Sequence, residues 1–195
     1  LTLTDAGDSA QVNFGSSTFR YSIPNGFSGF TTASTPGPGI QNLIINGRME
    51  IDQRNSGAAQ APVVDTNYTV DRWRYTGTVA GKFNCQQSAG AVTPPPGYIN
   101  YHGYTVAVAY AVGATDTFFT EQRIEGLQIS SLDFGKSTAK TVTLLAWVYT
   151  SVVGTHSGSL RNAATNRSYP FTFSIEVANT WTQIAIIIPD DTNGT

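Results

Sequence analysis

The sequence predicts an all-β fold, most simply a β-sandwich, and three observations support this. First, four short runs alternate apolar with polar residues, or large with small ones, at the period of two that is typical of strands. These runs are residues 104–110, 141–149, 171–177 and 181–188. Second, turn-forming residues separate them, and the chain holds 19 glycines and 9 prolines. Third, helix-capping patterns are almost absent, so we expect no helix longer than about two turns.

Residues 121–131 are the segment in which a helix competes most directly with a strand. Gly126 lies in its middle and would weaken a helix by about 1 kcal/mol relative to alanine. Leu127 and Ile129 alternate with polar neighbours, so the pattern predicts a strand here.

Composition excludes several classes of partner. Charged residues make up 12% of the chain and the net charge is −2, so no basic field exists to hold a nucleic acid or an anionic membrane surface. The longest apolar runs, residues 106–112 and 184–189, fall far short of the ~18 residues that span a bilayer, so we expect no membrane insertion. Cys85 is the only cysteine, which excludes an intrachain disulfide and a cysteine metal site.

A Pro/Gly-rich stretch predicts a linker at residues 35–40, because its prolines lack backbone donors and its glycines add freedom. The preceding residues 1–34 are too few to bury a core alone. We expect them to be the end of another β domain, or an arm on a neighbouring chain. Residues 41–195 form the main domain, and the turn-like residues 190–195 suggest that its C terminus is truncated.

The sequence gives little sign of catalysis. His102 and His156 have no partner at metal-ligand spacing. Residues 154–158 place a serine at the wrong position for a nucleophile elbow, and we expect a hairpin turn there. Carboxylates that could serve a glycosidase are present but cannot be paired by spacing alone. We therefore expect a protein that is not an enzyme.

Aromatic residues are more informative. Trp73 and Trp147 lie in strand-like runs and are expected in the core. Loop-like residues 97–104 form the densest cluster of aromatic side chains. Tyrosine rings there could stack on a sugar, and neutral polar groups could form hydrogen bonds with its hydroxyls. Residues 94–96 are prolines, which would stiffen the approach.

The predicted glycan-binding patch consists of Tyr98, Asn100, Tyr101 and His102. Two alternatives stay open: the tyrosines pack at sheet edges, or the loop packs between subunits.

A family resemblance begins at residues 42–50, Asn-Leu-Ile-Ile-Asn-Gly-Arg-Met-Glu. With residues 51–57 (Ile-Asp-Gln-Arg-Asn-Ser-Gly) and 68–73 (Tyr-Thr-Val-Asp-Arg-Trp), this resembles the fibre and receptor-binding modules of tailed bacteriophages, which carry a jelly roll like that of carbohydrate-binding modules. Met49 stands where the family usually has phenylalanine. Residues 1–34 more weakly resemble the closing strands of a SPRY-like, lectin-type domain.

The resemblance implies a galactose-binding-like jelly-roll sandwich in a virion tail or fibre. It implies a homotrimer that contacts other tail proteins and binds a host-surface polysaccharide without catalysis. It also implies a structural calcium ion near the opening motif, with Glu50 as ligand; a buried salt bridge from Glu50 to an arginine such as Arg72 is the rival. The alternatives are a structural trimeric spacer that binds no glycan and part of a polysaccharide depolymerase.

Overall fold

The structure is a computed structural model, and it describes residues 6–14, 17–24, 42–61 and 68–193. Strands predominate and helix is sparse, which confirms the all-β class. The sheets in the described part of the chain are small and open rather than closed. The predicted linker at residues 35–40 lies outside the described residues.

Two N-terminal strands form a hairpin within the segment expected to be β-rich. Strand β1 (Ala6–Phe14) pairs antiparallel with β2 (Ser17–Pro24), with Ala10 opposite Tyr21 and Phe14 opposite Ser17. This agrees with strands in the first 34 residues. Whether they close another domain or form an arm stays a prediction.

Residues 42–125 form one compact unit. Its strands are β3 (Tyr68–Val70), β4 (Trp73–Gly77), β5 (Phe83–Gln87), β6 (His102–Val106) and β7 (Phe118–Glu121). Strand β4 lies between β3 and β7, and β5 pairs with β6, all antiparallel. Fully buried Val70, Thr69 and Cys85 mark the centre of this unit.

The opening Asn-Gly motif forms a turn in this unit. Asn46 adopts a left-handed backbone (φ 53°), which asparagine tolerates better than most residues. Its side chain donates to the carbonyls of Ile51 (2.7 Å) and Asp71 (2.8 Å), and its Oδ1 accepts from the Ile51 N–H (3.0 Å). Trp73 Nε1 donates to the Asn46 carbonyl (3.2 Å). The motif thus ties the start of the unit to the turn before β4.

The second unit contains residues 126–193 together with the hairpin. Its further strands are β8 (Val142–Val148), β9 (Gly154–Arg161), β10 (Ser168–Ile175) and β11 (Thr182–Ile188). Strand β8 pairs with β11, and β9 pairs with β10. Leu145, Ile175 and Ile188 are buried. The division at residue 125 falls inside the predicted main domain 41–195, whose extent stays a prediction.

The strand predictions at residues 141–149, 171–177 and 181–188 are confirmed by β8, β10 and β11. The strand predicted over residues 121–131 is wrong. Beyond β7 the chain forms one α-helical turn, α1 (Gly126–Ile129), and a 3-10 turn (Ser130–Leu132). Leu127 is 90% exposed, so its apparent alternation with Ile129 reflects no buried face.

Three further expectations need correction. The run 104–110 is a strand only to Val106, because its last ladder bond is from the Ala107 N–H to the Lys82 carbonyl (2.9 Å). Residues 154–158 lie in β9 rather than in a hairpin turn, because each pairs with a residue of β10. Trp73 and Trp147 are half-buried, not fully in the core. The part of the chain that the structure describes contains no helix that could span a bilayer.

Candidate functional site

The predicted patch lies in the 42–125 unit, in the loop that leads into β6. Tyr98 is buried, with 9% of its surface exposed. The Arg48 guanidinium lies over its ring, 4.9 Å from the centroid, and donates from Nη2 to the Gly97 carbonyl (2.8 Å). A ring that is covered in this way does not offer its face to a sugar.

Asn100 and Tyr101 hold the same loop against residues 88–92. Ser88 Oγ donates to Asn100 Oδ1 (3.1 Å). The Tyr101 hydroxyl donates to the Ala89 carbonyl and accepts from the Val92 N–H (3.0 Å). Both residues are half-buried, and their polar groups bond the chain itself.

His102 links β3 to β6. Its Nε2 lies 2.7 Å from the hydroxyl of fully buried Thr69, and its Nδ1 lies 2.9 Å from the Tyr104 hydroxyl. Burial lowers the pKa of His102 from 6.5 to about 4, because a charged ring would lose hydration that these neutral hydroxyls do not replace. At neutral pH the ring is therefore uncharged and serves as a neutral connector.

The four predicted residues thus lie close together, and their contacts chiefly hold the loop in place. This geometry favours the alternative in which the tyrosines pack at a sheet edge. Their binding role stays a prediction.

The surroundings of Glu50 favour a salt bridge over a metal ion. Glu50 Oε1 accepts from Arg48 Nε at 2.8 Å, with both side chains partly exposed. Arg72, the arginine expected as the partner of Glu50, instead pairs with Glu125 (3.1 Å). The salt bridge of Glu50 to an arginine is therefore present, but its partner is not Arg72 and it is not buried. No group of three His, Cys, Asp or Glu side chains that could hold a metal ion occurs among the described residues. Because a guanidinium at this distance competes with a cation, the residues present do not fit the calcium site that the resemblance implies.

A different feature of the unit is an open aromatic cavity. A cavity of about 220 Å³ lies where β4, β5, β6 and β7 meet. Its lining is almost wholly aromatic and consists of Tyr75, Phe83, Tyr104, Phe118, Phe119 and Thr120.

Ring contacts build the cavity wall. The Tyr75 ring lies 6.0 Å from that of Phe83 and 6.4 Å from that of Tyr104, and the Phe83 and Phe118 rings meet edge to face at 5.5 Å. Gly77 stands opposite Phe118 in the ladder, and a β-carbon there would lie 2.7 Å from the Tyr75 hydroxyl. The absence of a side chain at Gly77 therefore gives the Tyr75 ring its place.

Polar groups stand beside this wall. Tyr104, whose ring belongs to this wall, is 38% exposed, so solvent reaches the cavity at this ring. Nearby, the Tyr110 hydroxyl donates to Asp116 Oδ2 (2.8 Å), and Lys82 Nζ lies 4.7 Å from the Tyr110 centroid. Hydrogen bonds from the Gly113 N–H and the Tyr110 hydroxyl lower the pKa of Asp116.

An aromatic wall with an exposed edge and neighbouring hydrogen-bonding groups can stack on the apolar face of a small ring. Sequence reasoning named Tyr104 as sugar-binding material but missed Phe118 and Phe119. A signal for them existed, since adjacent residues in a strand point to opposite faces and one of two neighbouring phenylalanines must leave the core.

No protein-family model, curated protein or solved structure matches this chain.

Proposed function

We propose that this chain is a non-catalytic module of a tailed-bacteriophage fibre or receptor-binding protein. In this proposal it folds as a galactose-binding-like jelly roll, assembles as a homotrimer beside other tail proteins of the virion, and binds a host-surface glycan. The observation that carries the glycan-binding part is the aromatic cavity of the 42–125 unit.

The chemistry of the cavity suits a sugar ring. A pyranose has an apolar C–H face that stacks on aromatic rings, and Tyr104, which is 38% exposed, places such a ring at the cavity. The low charge of the chain, 12%, suits recognition by neutral hydrogen bonds.

Weak single sites suffice for this function. One shallow site of millimolar affinity supplies about −4 kcal/mol. Three linked sites raise the avidity by a factor of ~10² to 10⁴ when they engage one surface together. A small aromatic cavity is therefore adequate in a trimer.

The second candidate function is a structural trimeric spacer, and a specific observation favours it. Val106, Val108 and Val112 expose 64%, 53% and 64% of their surface. Three such exposed apolar side chains within seven residues are typical of surfaces that contact another protein.

An array of bacterial surface polysaccharides, probed with the purified 195-residue chain, separates the two functions. We expect binding to a subset of glycans that Tyr104→Ser abolishes. Tyr169→Ser is the matched control, because Tyr169 is also a strand tyrosine of nearly equal exposure, 37%, but lies in the other unit. If light scattering shows a trimer and the array shows no glycan binding, the structural spacer function is supported.

A further inference from the structure

We propose that the Tyr104 hydroxyl donates a hydrogen bond to a pyranose unit in the aromatic cavity, and that Thr69 and His102 hold it in this role. This inference rests on the proposed glycan-binding function and deepens it. Tyr104 would touch the sugar, whereas Thr69 and His102 would act as positioning residues. The occupant is one pyranose unit, because the cavity of about 220 Å³ is smaller than the roughly 300–1,000 Å³ that accommodates drug-sized ligands.

Three residues of the described lining carry a hydroxyl group, and they differ in what they offer a ligand. The Tyr75 hydroxyl exposes less than 1 Å², so a ligand does not reach it. The Thr120 hydroxyl donates its hydrogen to the Arg74 carbonyl (3.2 Å) and keeps only the capacity to accept. Tyr104 is 38% exposed. It is therefore the donor of the lining, provided that its hydrogen is not used inside the protein.

The fate of that hydrogen depends on His102, which lies two positions earlier on the same face of β6. The Tyr104 hydroxyl lies 2.9 Å from Nδ1 of the ring, and the Thr69 hydroxyl lies 2.7 Å from Nε2. A neutral imidazole donates from one nitrogen and accepts at the other. Tyr104 therefore either donates its hydrogen to Nδ1, or accepts from Nδ1–H and keeps its own hydrogen.

Thr69 decides between these two arrangements. Its side chain is fully buried, and His102 Nε2 is the acceptor that its hydroxyl meets among the described residues. If Nε2 carried the ring hydrogen, the Thr69 hydrogen would be buried without an acceptor there, which disfavours that tautomer by about tenfold. Thr69 therefore donates to Nε2, and the Nδ1–H group of the ring donates to the Tyr104 oxygen.

In this arrangement the Tyr104 hydrogen is directed away from His102. The Thr120 hydroxyl, which interacts with Tyr104, also lines the cavity. A sugar oxygen that enters beside it can replace the Thr120 oxygen as the acceptor of the Tyr104 hydrogen. One neutral hydrogen bond of this kind strengthens binding by about fivefold.

The first measurement needs no ligand and identifies the tautomer of His102. Long-range nitrogen–hydrogen NMR correlation spectra of the isotope-labelled chain, at about pH 8 where a free histidine is neutral, distinguish the two tautomers. We expect the hydrogen of His102 on Nδ1. His156 is the internal control, because its Nε2 lies 3.1 Å from the Val152 carbonyl, which can only accept. The hydrogen of His156 should therefore be on Nε2.

The second measurement is calorimetric titration with an oligosaccharide from the polysaccharide that binds best on the array. Tyr104→Phe keeps the ring, removes the hydroxyl and should weaken binding by about fivefold. Thr69→Val removes the donor to Nε2, so it should shift His102 away from the Nδ1–H tautomer and also weaken binding. Thr69→Ser keeps that donor and should retain both the tautomer and the affinity of the wild type.

The inference and the proposed function fail in different ways. A hydrogen on Nε2 of His102, or wild-type affinity in Tyr104→Phe, would overturn the inference alone. Absence of all polysaccharide binding would overturn the proposed function and the ligand role of Tyr104 with it. Because the wild-type chain and Tyr104→Phe carry these two results, a Thr69 variant that fails to fold leaves the test intact.

Discussion

Acidification should destabilise this protein through His102. The folded chain holds the ring between two hydroxyls and keeps its pKa near 4, whereas an unfolded chain restores a value near 6.5. Between these two pH values the unfolded chain binds the proton and the folded chain does not. The free energy of unfolding is therefore undiminished above pH 6.5, falls as the pH decreases towards 4, and reaches its full loss below that value.

The magnitude follows from the same shift. One pKa unit corresponds to about 1.36 kcal/mol, so the fall from 6.5 to about 4 amounts to about 3 kcal/mol. This is a large part of the 5–15 kcal/mol that stabilises an ordinary domain. Carboxylates such as Asp116, whose pKa is lowered by hydrogen bonds, also lose stabilisation in acid. A variant is therefore needed to isolate the histidine.

The assay is urea unfolding followed by tryptophan fluorescence at pH 7, 6, 5 and 4. Trp73 lies 6.5 Å from the His102 ring and reports on this region. We expect the wild type to lose about 3 kcal/mol more than His102→Gln between pH 7 and pH 4. His156→Gln, which removes the other histidine, is the matched control and should behave as the wild type. If wild type and His102→Gln lose equal stability, the neutral, buried His102 is refuted.

The remaining predictions concern packing and burial. Tyr75→Phe removes a buried hydroxyl that has no hydrogen-bond partner in the described residues, so it should stabilise the protein by about 1 kcal/mol. Tyr101→Phe removes a hydrogen-bonded hydroxyl and should destabilise the protein by about 1 kcal/mol. Equal shifts of the two melting temperatures would contradict this. Gly103→Ala should cost about 1–3 kcal/mol in urea unfolding, because its β-carbon would lie 2.5 Å from another, while Gly126→Ala, with open space around it, should not destabilise. Cys85 is fully buried and burial raises its pKa to about 12, so a thiol reagent at pH 8 should label it only in urea; rapid labelling of the folded chain would refute the burial.

The sequence predicted strands well where alternation coincides with a pairing partner. Residues 141–149 and 181–188 alternate, and β8 and β11 do pair with each other along their whole length. In residues 104–110 the alternation continues for four residues past the end of β6. A pattern of apolar residues records which side chains are apolar, but not where a partner strand ends.

The site was harder to predict because its contacts join distant parts of the chain. Tyr98 is covered by Arg48, fifty positions earlier, and His102 is fixed by Thr69 on another strand. Spacing along the sequence does not reveal these contacts, so the loop appeared more available than it is. The cavity is likewise assembled from four strands, and a single local motif does not encode it.

The most direct test of the glycan-binding claim is a crystal structure of the chain with an oligosaccharide from the polysaccharide that binds best on the array. The account predicts one sugar unit in the aromatic cavity, with its carbon atoms within about 4 Å of the Tyr104 and Phe118 rings. A sugar bound instead at residues 98–102, or in the 126–193 unit, with the cavity empty, would contradict it.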